Sequence, residues 1–362
     1  MKNICIVQPL IANYRIPLFD DLEKYWRLTV VYSPVAKQQG FGDQSIATIS
    51  GVNCREIPTC SPLGQRFGMY QSGIIRTLQK IHPDAVITFA NLRYLSFWTT
   101  LIWCKIHGIP VFPHGHGLYR KHNPGFLWKM IYRVVLWLST AYICYTPSVA
   151  ESLLRLGLSK RKIVVAENSL VNPCPVSPGE KTAKETGILF IGRLRSGSRL
   201  DLLISAVAQL HVSGYPSITL HIIGDGPDAQ RIRNLAMNMP WVRFHGSVYA
   251  SEKLSEISRD CMAGCYPGNA GLSVVHMMSL SLLPIVHDNM AAHQGPEPSY
   301  IKSGENGLLF DHLNPEAGLL SALIYVLEEP KELKRMQAKA YATYEQIAKP
   351  SLAMRIINIV GE

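Results

Sequence analysis

What most constrains this chain is an alternation that runs, breaks off and runs again. Short β-rich runs at Asn3–Gln8, Leu28–Tyr32, Ala85–Phe89, Pro110–Pro113, Ala141–Tyr145 and Lys162–Ala166 are separated by longer segments. Two of those segments, Arg15–Lys24 and Tyr70–Ile81, carry apolar residues at three- and four-residue spacing. Buried strands alternating with amphipathic helices predict a parallel sheet covered on both faces. The pattern stops at Asn172-Pro-Cys-Pro-Val-Ser-Pro-Gly-Glu-Lys-Thr, where three prolines and no periodicity read as a linker. It restarts with Gly187–Ile191, the helical Leu200–Leu210, Ile218–Ile223, Val242–His245, Met262–Tyr266, a helix over 272–281 and Pro284–His287, and from Pro315 the chain reads as helical. The expectation is an α/β fold of two Rossmann-like, doubly wound parallel-sheet domains: 1–170, a linker over 171–182, and 183–340. A C-terminal helical segment, 341–362, is expected to pack back on the first domain. At 362 residues the chain is too long for one ordinary core in any case. Ligands of such sheets bind at the carboxyl ends of the strands, so two domains facing a cleft are expected.

Composition narrows the function classes. The first apolar run is short and ends in polar residues, so no signal peptide is expected. The stretches Leu95–Cys104 and Val134–Tyr142 fall short of the ~20 residues a membrane-spanning helix needs. The expected location is cytoplasmic. Cys5, Cys104 and Cys144 sit in apolar runs, and Cys261 and Cys265 lack zinc-ligand spacing, so neither metal nor disulfide is expected. Charge is divided unevenly: residues 1–175 hold 19 Lys+Arg against 8 Asp+Glu, and residues 176–362 hold 17 against 18. A basic half joined to a neutral one predicts an anionic partner for the first domain. No nucleic-acid-binding signature accompanies the charge, which favours contact with an inner-membrane surface. The segment Tyr119–Arg133 points the same way, mixing Arg120, Lys121, Lys129 and Arg133 with Phe126, Trp128, Met130 and Ile131.

Four segments of the second half suggest an anionic ligand. In Phe190-Ile-Gly-Arg-Leu-Arg-Ser-Gly-Ser-Arg, Arg193 follows a strand end and Arg199 precedes a helix. Guanidinium groups on either side of a tight loop suit a diphosphate, whose oxygens each can grip in a fork. In His221-Ile-Ile-Gly-Asp-Gly-Pro, Gly226 belongs to a turn whose amides can face a ligand. After Phe244-His-Gly, the backbone of Ser247 and Val248 offers groups that could read a nucleobase edge. In Tyr266-Pro-Gly-Asn-Ala-Gly-Leu-Ser-Val-Val-His, a glycine turn opens a helix, so the N–H groups of Gly271, Leu272 and Ser273 meet an anion at the positive end of the dipole. His276 lies three residues past Ser273, on the same face. In the first half, a His-Gly-His-Gly loop after a buried strand is expected to expose the imidazoles of His114 and His116.

The four segments, with Pro296-Glu297 and Gly304-Glu-Asn-Gly-Leu-Leu-Phe, resemble over residues 185–330 the donor-binding domain of glycosyltransferase family 4. That is the large retaining GT-B family that extends bacterial surface polysaccharides. Ile109-Pro-Val-Phe-Pro-His-Gly-His-Gly resembles the strand and histidine that approach the donor sugar, and puts His116 at the active-site position with His114 as competitor. The family carries two glutamates eight positions apart, where this chain has Gly268 and His276. His276 would then hold the ribose, and Asn269 or Glu297 would stand in toward the donor sugar. Ser198 occupies the position of a family lysine, beside Arg199, and the first loop lacks a glycine pair, which leaves Tyr14 and Arg15 to face the acceptor.

The resemblance implies a GT-B, hexosyltransferase-type enzyme of cell-surface polysaccharide biosynthesis, and the basic first half adds the expectation of a peripheral position on the inner face of the plasma membrane. It would move a sugar, with retention, from a UDP- or GDP-sugar to a lipid-linked or saccharide acceptor, with His116 and Arg193 as catalytic residues. No cofactor beyond the nucleotide-sugar substrate is expected. With no Asp-x-Asp motif, no metal is expected either. The alternatives are a nucleotide-sugar epimerase and a non-catalytic GT-B-derived binding protein.

Overall fold

The structure, a computed structural model, describes residues 1–34, 51–61, 68–121, 123–182 and 186–361, so His122 of the basic aromatic segment lies outside it. The chain forms two compact units, Met1–Val171 with Pro350–Glu362, and Asn172–Lys349.

In the first unit, β1 (Asn3–Val7), β2 (Arg27–Tyr32) and β3 (Asn53–Glu56) precede a short antiparallel pair, β4 (Thr59–Cys60) and β5 (Tyr70–Gln71). Then come β6 (Ala85–Phe89), β7 (Val111–Gly115), β8 (Tyr142–Cys144) and β9 (Ile163–Val165). Seven of these form one parallel sheet in the order β3-β2-β1-β6-β7-β8-β9. Successive residues of β1 serve opposite faces, as the strand period demands. Ile4 and Ile6 enter one core with Phe19 and Leu22 of α1 (Ile16–Glu23). Cys5 and Val7 enter the other, beneath α2 (Ile74–Ile81), α3 (Leu95–Ile106), α4 (Phe126–Leu138) and α5 (Pro147–Leu154). Tyr70–Gln71 is therefore strand, and the helix expected there begins only at Ile74, after Gly73 takes a left-handed turn.

The second unit runs β10 (Gly187–Ile191), α6 (Leu200–Val212), β11 (Thr219–Ile223), α7 (Ala229–Leu235), β12 (Val242–Gly246) and α8 (Ser251–Arg259). It continues with β13 (Cys261–Tyr266), α9 (Ser273–Ser279), β14 (Leu283–His287), β15 (Leu308–Phe310), α10 (Pro315–Glu328) and α11 (Pro330–Ala348). Its parallel sheet has the order β12-β11-β10-β13-β14-β15. β10 and β13 are buried at every position, which explains their uninterrupted small and apolar sequence. Strand order reverses between β10 and β13, and the loops at their carboxyl ends are where a ligand of this topology binds. The helical tail changes unit at Pro350 rather than near residue 340, because a proline cannot extend α11. Beyond it, α12 (Leu352–Gly361) buries Leu352, Ala353, Ile356 and Val360 in the first unit, and Arg355 pairs with Glu167 at 3.0 Å.

Candidate active site

In the second unit the predicted segments converge on the carboxyl edge of the sheet. Leu194 N–H donates to the Asp225 carbonyl at 2.9 Å and Asp228 N–H to the Leu194 carbonyl at 3.0 Å. Gly226 stands in this clamp at φ +157°, where a Cβ would overlap the Leu194 carbonyl oxygen and lie 2.9 Å from its carbon. Its glycine is thus required by close backbone approach, and its amide donates to Asp225 Oδ1 at 2.8 Å rather than facing outward. Gly224 N–H donates to the Gly246 carbonyl at 2.8 Å, which brings exposed Ser247 and half-buried Val248 beside the same turn.

The loop between β10 and α6 is seated on the loop after β13. Gly268 N–H donates to the Ser198 carbonyl at 3.0 Å and Asn269 N–H to the Gly197 carbonyl at 2.9 Å. Added to Gly268, a Cβ would overlap the Gly197 carbonyl oxygen and lie 2.7 Å from the Ser198 carbonyl carbon. The position where the family carries a glutamate is therefore filled here by backbone. Arg195, which the sequence reading passed over, reaches across to hydrogen-bond Gln294 Oε1 and, at 3.5 Å, the Asn269 carbonyl. Arg193 is half-buried. Arg199 caps α6 in a left-handed conformation, φ +51°, with its side chain exposed.

A second missed residue holds the turn from the other side. His293, fully buried, accepts from Ala270 N–H at Nδ1 (3.2 Å), which leaves Nε2 to donate to the His287 carbonyl at 2.9 Å. Burial pushes its pKa down to about 3, so it stays neutral and keeps both bonds. The Gln294 backbone N–H donates to the Ala270 carbonyl at 2.7 Å. Buried Glu297 lies against the next turn, with Oε2 3.6 Å from a Cβ built on Gly271. The amides of Gly271, Leu272 and Ser273 precede or open α9 and have no acceptor inside the helix. Ser273 Oγ is buried without a hydrogen-bond partner among the described residues. His276 sits one turn further, its pKa pushed down to about 4 by burial, so it acts as a neutral imidazole. Exposed Asp288, Asp311 and His312 gather within 4.8 Å of one another at the far edge of this sheet, where His312 Nδ1 already meets Asp288 Oδ1 at 2.6 Å.

In the first unit, β7 runs through His114 to Gly115, because His114 pairs with Ile143 of β8. His114 is thus a buried strand residue, not an exposed loop imidazole, and only His116 lies past the strand. The Tyr145 ring packs against both, 4.4 Å from His114 and 4.6 Å from His116 between ring centroids. Arg15 donates to buried Asn168 Oδ1 beside them. Burial, with Arg15 and His116, holds the His114 pKa far below its ordinary value, and His116 drops to about 4 through burial, Arg120 and Arg15. The loop bearing His116 is fixed at Gly117, whose N–H donates to Tyr142 Oη at 3.1 Å and whose carbonyl accepts from Tyr132 Oη at 3.0 Å. Tyr14 is exposed, with the Arg15 guanidinium over its ring at 5.3 Å.

Two parallel-sheet units, the second of strict Rossmann order with cations and turn amides at its switch point, define the GT-B class. The sequence pattern of the family described as "Glycosyl transferases group 1" matches residues 177–343, and that of "Glycosyltransferase Family 4" matches residues 24–170. The chain belongs to these glycosyltransferases, with a family 4 domain followed by a group 1 domain. Anabaena HepE, solved in complex with UDP, superposes with a TM-score of 0.70 at 15% identity over 100% of both chains. The lipopolysaccharide outer core galactosyltransferase WaaB, in its apo form, gives 0.69 at 16% identity, covering 99% of this chain and 98% of its own. A glycosyltransferase from Rickettsia africae gives 0.67 at 15% identity, covering 98% and 96%. No curated protein matches the chain in sequence.

Proposed function

We propose that this glycosyltransferase moves a hexosyl group from a UDP- or GDP-sugar to a lipid-linked or saccharide acceptor in cell-surface polysaccharide synthesis, with retention and without a bridging metal. The observation that carries this reading is the convergence of Arg193, Arg195, the Gly271–Ser273 amides and Glu297 at the switch point of the second sheet. In the transfer, the bond from the sugar's anomeric carbon to the diphosphate breaks and a bond to the acceptor hydroxyl oxygen forms. The hydroxyl proton passes to the departing diphosphate. Charge gathers on that leaving group, and preorganised guanidinium and amide donors stabilise it most where it develops. We assign Arg193 and the turn amides to the diphosphate, Arg199 to its outer oxygens, His276 to the ribose, and Ser247 and Val248 to the base. Asn269 and Glu297 are assigned to the sugar. His116 is assigned to a sugar hydroxyl as a neutral hydrogen-bonding group, and Tyr14 and Arg15 to the acceptor. HepE has been solved with UDP-glucose, and WaaB is a galactosyltransferase, which supports a UDP-hexose as donor.

Thermal melting with UDP, GDP and their sugars tests the donor assignment. A ligand at a hundredfold its Kd stabilises the fold by about 2.7 kcal/mol. One nucleotide class is expected to shift the melt, and Arg193→Ala to abolish turnover with it. An Arg193→Ala variant that turns over like wild type would remove the proposed diphosphate contact.

A further inference from the structure

Away from that site, the outer face of α3 and α4 gathers exposed apolar side chains. On α4, Phe126, Met130, Val134 and Trp137 recur at intervals of four, four and three, which places them on one stripe of the helix. All four are exposed, Phe126 by 74% and Trp137 by 64%, and Leu127 beside them by 69%. The opposite face, Tyr132, Val135, Leu136 and Leu138, is buried in the core. From α3, packed alongside, Ile102 and Ile106 are exposed as well. An apolar patch of this extent marks an interaction surface.

Charge identifies what covers it. Residues 85–150 contain six Lys and Arg and not one Asp or Glu. Lys129 and Arg133 flank the apolar stripe, and Lys105 of α3 stands over the Trp137 ring at 5.5 Å. An open depression of about 320 Å³ beside Trp137 is lined by Arg133 and Lys162 among others. The Lys162 pKa is lowered by burial and by Lys105, so cations crowd here. Aromatic and aliphatic side chains standing out from a helix, with cations at their flank, match the boundary between acyl chains and anionic headgroups. Thirteen residues make α4 ~20 Å long, too short for a ~30 Å hydrocarbon core. Among the described residues no helix is long and apolar enough to cross a membrane, so α4 would lie in the interface.

We propose that this face docks the enzyme on an anionic lipid bilayer, with Phe126, Leu127, Met130 and Trp137 in the interface and Lys105, Lys129 and Arg133 at headgroup phosphates. Flotation of the full chain with phosphatidylcholine vesicles, with and without phosphatidylglycerol, tests it. The measurement needs neither donor nor acceptor, so its outcome is independent of the transfer reaction. Binding is expected only with phosphatidylglycerol, and weakens with salt. Lys129→Gln with Arg133→Gln lowers the partition about twenty-five-fold, from about fivefold per cation. Phe126→Ser with Trp137→Ser lowers it roughly tenfold or more. Both pairs are to melt like wild type, and if the apolar pair fails to fold, the charge pair decides. Wild-type protein that stays off the mixed vesicles overturns the proposal, as do charge and apolar variants that both bind undiminished. Self-association lost in the Phe126/Trp137 variant would assign the face to a second copy and overturn it equally.

Discussion

Gly268→Ala puts a methyl group where the structure has the backbone of the Gly197–Ser198 turn. The new Cβ would lie 2.7 Å from the Ser198 carbonyl carbon and overlap the Gly197 carbonyl oxygen, and neither is the end of a flexible side chain. Either the turn lifts or residues 268–269 retreat. Both movements break the Gly268–Ser198 and Asn269–Gly197 hydrogen bonds, 3.0 and 2.9 Å long. Overpacking of this kind costs about 1–3 kcal/mol, with about 1 kcal/mol for each net hydrogen bond lost if the turn lifts fully. For a unit of this size the melting temperature should fall by roughly 3–10 °C. Lifting the turn also carries Arg195 away from Gln294, and a misplaced charged hydrogen bond of about 1.5 kcal/mol weakens nucleotide-sugar binding roughly tenfold. Differential scanning calorimetry and titration calorimetry with the nucleotide-sugar measure the two effects on one sample. Gly179→Ala, whose Cβ meets nothing within 4 Å, is the control and should change neither. Gly268→Glu, which restores the family's carboxylate, should be worse than alanine. Wild-type melting and nucleotide-sugar affinity in Gly268→Ala would refute the seating of one loop on the other.

Other expectations follow from the same contacts. His293→Leu strands the Ala270 N–H and the His287 carbonyl, and should lower stability by about 2–5 kcal/mol, read from the urea midpoint; an unchanged midpoint would mean the imidazole does not tie the turn. His221 and His276 both have pKa values lowered by burial to about 4, below the ordinary 6.5. Their unfolded forms therefore bind protons that the folded forms refuse. Stability is intact above about pH 6.5 and falls as the pH drops toward 4, by about 2 kcal/mol per histidine at pH 5. Urea midpoints that match at pH 7 and pH 5 would contradict this. Tyr132→Phe removes the Oη that holds the Gly117 carbonyl, and should cost about 1 kcal/mol and reduce kcat through the loosened His116 loop; full activity would show that the loop needs no such anchor.

Strands such as β10 and β13 were legible because a strand buried on both faces leaves a continuous run of small and apolar residues. β3 was not, since three of its four residues, Asn53, Arg55 and Glu56, are exposed at a sheet edge and carry no apolar run. Nor were β4 and β5, which at two residues are too short for any periodicity. Arg193 could be placed from sequence because a strand end leads directly to it. Arg195 and Gln294 could not be joined, being 99 positions apart and brought together only by the sheet. His293 gave no signal beyond preceding Pro296-Glu297, because its role lies in two backbone groups that no side-chain pattern encodes. His114 was misplaced since a His-Gly-His-Gly run reads as a loop, while pairing with β8 extends the strand through it.

Gly268 shows how a departure from a family pattern is to be weighed. Along the chain it is a missing glutamate, and a missing glutamate argues for lost chemistry. In the fold it is the one residue type that lets the β10–α6 turn settle on the β13 loop, because any Cβ at that position collides with backbone. Loss of the carboxylate and the seated turn are then a single change. The closed turn delivers Arg195 to Gln294 and the Asn269 carbonyl, so positive charge and a fixed amide now stand beside the position where a carboxylate would be. A side chain that holds donor hydroxyls by accepting hydrogen bonds has been exchanged for groups that mainly donate them. The donor sugar's recognition should therefore depend on Arg195 and Gln294. Arg195→Ala is expected to raise KM for the nucleotide-sugar more than the Kd for the free nucleotide. Equal effects on both would place Arg195 at the diphosphate instead, alongside Arg193.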